Sequence, residues 1–380
     1  LTATALAGAL AACSANGSLA EQQVGPKPPL PEINQYLVPP MHVASPAPWG
    51  SATPTVPADM TVTAFATGLH NVRSVFVLPN GDVLAVEPKG PSEPVARPKD
   101  ILVNWIQGFG HSDTSGRDQI TLLRDTNGDG RADLKTVFLD HLVSPFGVAL
   151  VGGDLYVANT DAIVRYPYVT GETRITAPGT ILTELPGGPI DHHWTKSLVA
   201  SPDGTKLFVG IGSNSNITER GMEAEKDRAR IWEVDRATGA HRTFASGLRN
   251  PNGLQFEPAS RRLYAVINER DELGPDLVPD YLTSVRDGAF YGWPWSYWGQ
   301  HVDPRVMPRR PDMVARAIAP DYSLGSHVAP LGMVFYQGQS LPAGYRGGAF
   351  IGEHGSWDRG HLNGYKVVWV PFANGQPAGK

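Results

Sequence analysis

From Met60 onward the apolar residues recur in short runs, not at the 3.6-residue spacing of a helix face. Each run is an apolar strand, a turn on Gly, Asp or Asn, and a returning apolar strand. Five such units stand out: SVFVLPNGDVLAVEP (74–88), FGVALVGGDLYVANT (146–160), SLVASPDGTKLFVGIG (197–212), NGLQFEPASRRLYAVIN (252–268) and LGMVFYQGQSLPAGYRGGAFIGEHG (331–355). The pairs Asn80-Gly81, Gly153-Asp154 and Asp203-Gly204 are hairpin signals, because tight hairpin turns need residues that accept positive φ. Further strands follow most units, as in TLLRD–LKTVF (121–138), AIVRYPY (162–168), RIWEVD (230–235) and YKVVWVPF (365–372). Four-stranded units repeated in this way predict the blades of an all-β propeller spanning 59–380. Rings of six are common for such units, and the chain stops at Lys380 just after an outer strand. A six-bladed propeller is therefore expected, its last blade missing or incomplete in this chain. Closure as five blades is the alternative, and a β-sandwich fits five repeats poorly.

Composition agrees with this picture. The chain has 380 residues, 41% hydrophobic and 18% charged, with 42 Gly and 34 Pro, so a large core and many turns are available. Net charge is −5 and no Lys/Arg block occurs, which leaves nucleic-acid binding without electrostatic support. No G-x-G-x-x-G follows a strand, which argues against nicotinamide and flavin cofactors, and no haem-attachment motif occurs.

The N-terminal part reads differently. Leu1–Ala12 is apolar but too short to span a bilayer, so 1–13 is assigned as the end of a signal peptide. Leu10-Ala11-Ala12-Cys13 resembles a bacterial lipobox, which makes the single cysteine, Cys13, the expected lipidation site. The expected location is the periplasmic side of a bacterium, lipid-anchored or secreted, with membrane contact only through the anchor. An ordinary secretory signal is the alternative. Residues 14–58, proline-rich from Pro26 to Pro57, predict an extended tether or wrapping arm.

Several segments at blade starts are polar where a simple core would be apolar: HNVRS (70–74), HHWTKSL (192–198), LRNPNGL (248–254), NERDELGP (268–275) and GEHGSWDRG (352–360). In a propeller such segments converge at one end of the central channel. In order and spacing, His193-Trp194-Thr195-Lys196-Ser197-Leu198, Gly247-Leu248-Arg249-Asn250-Pro251-Asn252-Gly253-Leu254 and Asn268–Pro275 followed by Tyr291-Gly292-Trp293-Pro294 together resemble the soluble PQQ-dependent sugar dehydrogenases. The resemblance covers roughly 60–372 and is strongest to the L-sorbosone and pyranose dehydrogenase branch.

That resemblance implies oxidation of a sugar or sugar aldehyde by hydride transfer to pyrroloquinoline quinone (PQQ), with electrons passed to an external quinone or cytochrome. It makes His193 the catalytic base, with the adjacent His192 as the alternative. A neutral imidazole near pH 7 suits that role. It places Arg249 and Asn250 beside the quinone carbonyls, where a planar permanent cation stabilises developing negative charge. It makes the backbone carbonyls of Gly274 and Pro275 ligands of a Ca2+ that bridges protein and PQQ, with Glu269, Asp271 and Asp276 as competing carboxylates. Arg73, His354, Ser356 and Arg359 become candidates for the cofactor's carboxylates. The chain departs from the glucose-dehydrogenase pattern of Lys and further Arg residues late in the chain: nothing equivalent to the final arginines is visible.

Asp125-Thr126-Asn127-Gly128-Asp129-Gly130-Arg131-Ala132-Asp133 has the spacing that opens an EF-hand loop, but Thr136 stands where a bidentate Glu would be. It predicts an outer hairpin loop with Asp125, Asn127, Asp129 and Asp133 as ligands of a structural calcium, or a plain turn. Trp194 and Trp357 are candidate walls of the site, and YGWPWSYWGQH within the insertion at 276–326 has aromatics suited to stacking on a sugar. Two rival functions remain. A calcium-dependent lactonase would need a cage from Glu87, Asn159, Asn250 and Asp276. A non-catalytic binding propeller would not need His193 paired with Arg249.

Overall fold

The computed structural model describes residues 22–36, 50–91, 116–356 and 358–379. Cys13 and the rest of 1–13, much of the proline-rich arm, most of the insertion at 88–119 and Trp357 lie outside them.

Four antiparallel four-stranded sheets follow one another. They are β1 (Ser74–Val77), β2 (Val83–Glu87), β3 (Gln119–Arg124) and β4 (Leu134–Leu139); β5 (Gly147–Val151), β6 (Asp154–Ala158), β7 (Ala162–Pro167) and β8 (Thr180–Glu184); β9 (Leu198–Ala200), β10 (Lys206–Ile211), β11 (Arg230–Asp235) and β12 (His241–Ser246); and β13 (Asn250–Phe256), β14 (Leu263–Asn268) and β15 (Pro279–Ser284), completed by β18 (Tyr322–Ser326). A short hairpin, β16 (Ser296–Tyr297) and β17 (His301–Val302), and a helix at Pro311–Arg316 fill the excursion before β18. A fifth sheet has three strands, β19 (Pro330–Phe335), β20 (Ala349–Glu353) and β21 (Lys366–Val370), and the hairpin of β22 (Phe372–Ala373) and β23 (Gln376–Pro377) follows. The first strands, β1, β5, β9, β13 and β19, pack in succession, as the inner strands of propeller blades do.

Among the described residues the blades number five, and a sixth is not among them. The sequence pattern revealed five inner hairpins, and the sixth blade rested only on the habit of such rings. One turn also differs: Val151 pairs with Asp154, so the tight turn is Gly152-Gly153, one residue before the expected pair, and Gly152 takes φ 60°.

A separate apolar cluster seals each junction between blades. Alternation along a strand explains why. In β6, Leu155 and Val157 face the first blade, where they meet Leu84, Val86 and Phe138. The intervening Tyr156 and Ala158 face the third, where they meet Leu207 and Val209. In β14, Leu263, Ala265 and Ile267 pack on the third blade, and Tyr264 and Val266 on the fifth, against Met333 and Ile351. Middle strands are thus apolar on both faces, the pattern of strands covered on both sides. Truncating a fully buried member such as Leu207 to Ala costs about 2–5 kcal/mol. The outer faces of the first and fifth blades expose Val75, Val77, Val334 and Val367.

One described part of the arm, 22–36, lies on the fourth blade. Gly25 bridges to Ser323 on the edge strand β18, Gln23 donates to the Asp276 carbonyl, and Asn34 N donates to the Leu273 carbonyl. Here the segment wraps against the blade, and its extended backbone supplies the bonds that the strand edge lacks.

Candidate functional site

The polar segments converge at the end of the array where β9 and β13 begin and β10 and β14 finish. His193 stands five residues before β9. Its Nδ1 lies 2.8 Å from the Ser213 carbonyl and 3.0 Å from Ser213 Oγ. Ser213 Oγ spends its hydrogen on the Ser215 carbonyl at 2.6 Å. Both Ser213 atoms are therefore acceptors toward the ring, which places the imidazole hydrogen on Nδ1 and leaves Nε2 a free base. Burial, then the charges of Arg249, His192 and Arg228, push the His193 pKa well below its ordinary value. The imidazole is neutral at pH 7.

Arg249 and Asn250 enter beside it at the start of β13, and both are buried. Arg249 donates to the Glu269 carbonyl at 2.7 Å, to Asn216 Oδ1 at 3.1 Å and to Asp271 Oδ2 at 3.1 Å. Its Nε and the Oδ1 of Asn250 are buried without a hydrogen-bond partner. Such atoms are the exception in folded proteins, and water, an ion or a ligand can complete them. Gly212 makes the juxtaposition possible. A Cβ there would stand 2.4 Å from His193 Cβ and 2.5 Å from Asn250 Oδ1.

Arg73 before β1 and His354 after β20 meet from the first and fifth blades. Surrounding protein and then the Arg73 guanidinium lower the His354 pKa. Ser356 accepts from Asn363 N at 3.0 Å. Trp194 is half-buried and edge-on to Phe146, its ring centroid 6.2 Å away.

Other expected residues are placed differently. Arg359 does not face an open site: it is buried, donates to the Pro275 carbonyl at 2.7 Å and lies 3.1 Å from Asp276. The Gly274 carbonyl lies 3.1 Å from His327 Nε2, while His327 Nδ1 stands 3.4 Å from Asp271 Oδ1. Burial opposes charge on His327, but Asp271, then Asp358 and Asp280, outweigh it and raise its pKa to about 9. Both carbonyls assigned to calcium thus accept from cations. A dication there would face an imidazolium and a guanidinium, so these residues as arranged do not fit calcium. Asp271, His327 and Asp358 do lie close together, but both His327 nitrogens already have partners. Burial raises the Asp358 pKa to about 6.

The 125–133 loop is an exposed turn between β3 and β4. Asp125 accepts the backbone N–H groups of Asn127, Gly128, Asp129 and Gly130, and Asp133 takes Thr126. Its own donors occupy the carboxylates expected to bind a structural calcium. In the aromatic insertion, Tyr291, Trp293, Tyr297 and Trp298 are core, not a sugar platform. Trp293 Nε1 donates to the Asn216 carbonyl at 2.9 Å. Buried Arg270 locks the insertion through the Pro294 and Ser296 carbonyls, at 2.7 and 2.6 Å, and through Glu269 and Asp303. The lactonase cage does not assemble: Glu87 is taken by His70 N, Gln119 and Thr121, and Asn159 by Val143 N.

Sequence reasoning missed His327, which sits in no motif. It also missed Asp191 and Arg228, which lie behind His193. The one visible signal was Lys196, a charge next to an apolar strand.

The family model for glucose / sorbosone dehydrogenase matches residues 152–356. The chain is 29% identical over 236 residues to an uncharacterized protein of Borreliella burgdorferi, a match covering 60% of this chain and 61% of that protein. It is 25% identical over 223 residues to a pyrroloquinoline quinone-dependent pyranose dehydrogenase of Coprinopsis cinerea, covering 47% of this chain and 30% of that one. The chain thus spans about three fifths of the first relative and under a third of the second. The calcium structure of a Trichoderma reesei carbohydrate-active enzyme of family AA12 shares the fold, with TM-score 0.68 at 19% identity over 90% of this chain and 86% of that one.

Proposed function

This chain belongs to the glucose/sorbosone dehydrogenase family, and we propose that it oxidises a hydroxyl or aldehyde carbon of a small sugar with PQQ as cofactor, His193 acting as the base. One observation carries the reading. An unprotonated imidazole nitrogen stands next to a buried arginine and asparagine, each with a polar atom that the protein leaves unpartnered.

The residues fit PQQ. Arg249 Nε would donate to one of its carbonyl oxygens, Asn250 Oδ1 would accept from a donor on the cofactor or the sugar, and Arg73 and His354, from the first and fifth blades, would meet its carboxylates. When bound, PQQ supplies a hydride acceptor. The protein's share is proton transfer and orientation. Nε2 of His193 accepts the proton of the substrate hydroxyl, or of the hydrate that an aldehyde forms with water, as the carbon gives up hydride, and Ser213 holds the ring while it carries charge. Arg249, fixed by Glu269, Asn216 and Asp271, presents permanent positive charge without reorganisation at the moment of reaction. Electrons would leave to an external quinone or cytochrome. Calcium is not part of the proposed site, because cationic donors hold the Gly274 and Pro275 carbonyls. A periplasmic location with an anchor at Cys13 is supported by the sequence pattern alone.

Purified protein should bind PQQ at micromolar concentration and reduce a dye when given aldoses, pyranoses or sorbosone. Absence of PQQ binding at that concentration overturns the proposal. The same panel identifies the sugar.

A further inference from the structure

Behind His193 lies a buried cluster of ions that the proposed chemistry does not touch. Asp191, Lys196 and Arg228 are each 3% exposed or less. Lys196 Nζ lies 3.4 Å from Asp191 Oδ1, Arg228 Nη2 is paired with the same oxygen, and Thr160 Oγ1 bonds the other. The two cations also reach the backbone that carries the base. Arg228 donates to the His193 carbonyl at 3.2 Å, and Lys196 to the Trp194 carbonyl at 2.8 Å. From the same guanidinium, Arg228 Nε donates to the Gly212 carbonyl at 3.0 Å and Nη1 to the Pro186 carbonyl at 2.7 Å. Gly212 is the glycine that sets His193 against Asn250.

The chain is bent to put Arg228 there. Its two neighbours, Asp227 and Ala229, take left-handed φ of 60° and 53°. Neither is glycine, so the surroundings must hold them in that region. A buried carboxylate facing two cations is costly unless each hydrogen bond is made, and here the bonds close on the two residues around the imidazole.

We propose that Asp191 is a positioning residue for the His193 base: by fixing Arg228 and Lys196, it fixes the carbonyls of His193, Trp194 and Gly212, and so the direction of the imidazole. The inference rests on the reading of His193 as the base. The cluster also bears on charge at the ring. His193 is faced by Arg249 and His192, by Ser213 and by Arg228, and each of these charges disfavours imidazolium. Asp191 offsets the charge of Arg228. Without it the Arg228 guanidinium would stand uncompensated beside a base that must receive a proton, and Lys196, whose pKa burial already lowers to about 7, would lose the carboxylate that favours its charge.

The test uses the PQQ-loaded protein with Asp191→Asn and Arg228→Lys. Asp191→Asn is expected to lower kcat about 10- to 100-fold, the range for loss of a second-layer partner. KM for the sugar and PQQ occupancy should stay within about threefold. Ring-nitrogen NMR should show the Nδ1–H form of His193 losing its dominance. Arg228→Lys, which keeps charge but loses the fork, should show the same changes at smaller size. If Asp191→Asn folds and binds PQQ, yet leaves tautomer and kcat within twofold of wild type, the proposal is overturned. If Asp191→Asn does not fold, Arg228→Lys decides on the same readings. If the wild type binds no PQQ, the functional reading fails, and the tautomer measurement still decides this inference.

Discussion

Ser213 joins the base to its neighbour: its carbonyl accepts from His193 Nδ1 at 2.8 Å, and its own N–H donates to the Arg249 carbonyl at 2.8 Å. One residue at the end of β10 therefore sets the tautomer of the imidazole and the backbone of the arginine. His193→Gln, which keeps some polarity but cannot act as a base near neutrality, should lower kcat about 10²- to 10⁴-fold. PQQ binding should persist. His192→Gln should cost far less, and steady-state dye reduction with both variants separates the two histidines.

The pH profile follows from the charges around the ring. A base must be neutral to act, so activity rises with pH through its pKa. Burial and then Arg249 lower that pKa, and the acid limb of kcat should lie below the ordinary histidine value of about 6.5. Arg249→Met removes a cation, which raises the pKa and moves the limb to higher pH as kcat falls. A limb unmoved by this substitution would disconnect Arg249 from His193.

Gly212→Ala is the sharpest steric test. The added methyl would sit 2.4 Å from His193 Cβ and 2.5 Å from Asn250 Oδ1. The two must separate, at a cost of about 1–3 kcal/mol in stability. Activity should fall by about 100-fold, as a displacement near 1 Å at a reacting group commonly does. Thermal melts and kinetics on one preparation check both.

His327 makes stability depend on pH. Its pKa in the folded protein is raised to about 9, above the unfolded value of about 6.5. The contribution is therefore complete below 6.5 and is lost as pH rises through 9. Linkage puts its upper size at about 3 kcal/mol. Melting temperature should decline between pH 7 and 9.5 in the wild type, and less steeply in His327→Leu. Parallel declines would show that Asp271 does not hold a charged imidazole there.

Calcium should matter little at Gly274-Pro275. A cation at 100 times its Kd stabilises a protein by about 2.7 kcal/mol. With the carbonyls held by His327 and Arg359, millimolar calcium should leave the melting temperature unchanged. PQQ occupancy should be equal with calcium and with chelator. Arg359→Ala, which frees the Pro275 carbonyl and Asp276, is the variant in which calcium sensitivity should emerge.

Much was legible along the chain, because hairpins and blade starts are local. The apolar runs DLYVA and LYAVIN marked the returning strands β6 and β14. Gly81 and Gly204 turned where their neighbours said they would, with φ of 91° and 70°. His193, Arg249 and Asn250 fell together because each begins or precedes an inner strand, and all inner strands start at one end. What the sequence could not state is which buried charge takes which partner. Arg359 pairs with Pro275 across 84 positions, His327 with Gly274 across 53 and Arg228 with Asp191 across 37. The aromatic insertion has the composition of a sugar platform, but Arg270 draws it into the core. Secondary structure and strand order follow from side-chain period and turn chemistry, which act over a few residues. The partners of buried ions follow from desolvation, which acts only once distant loops have been brought together.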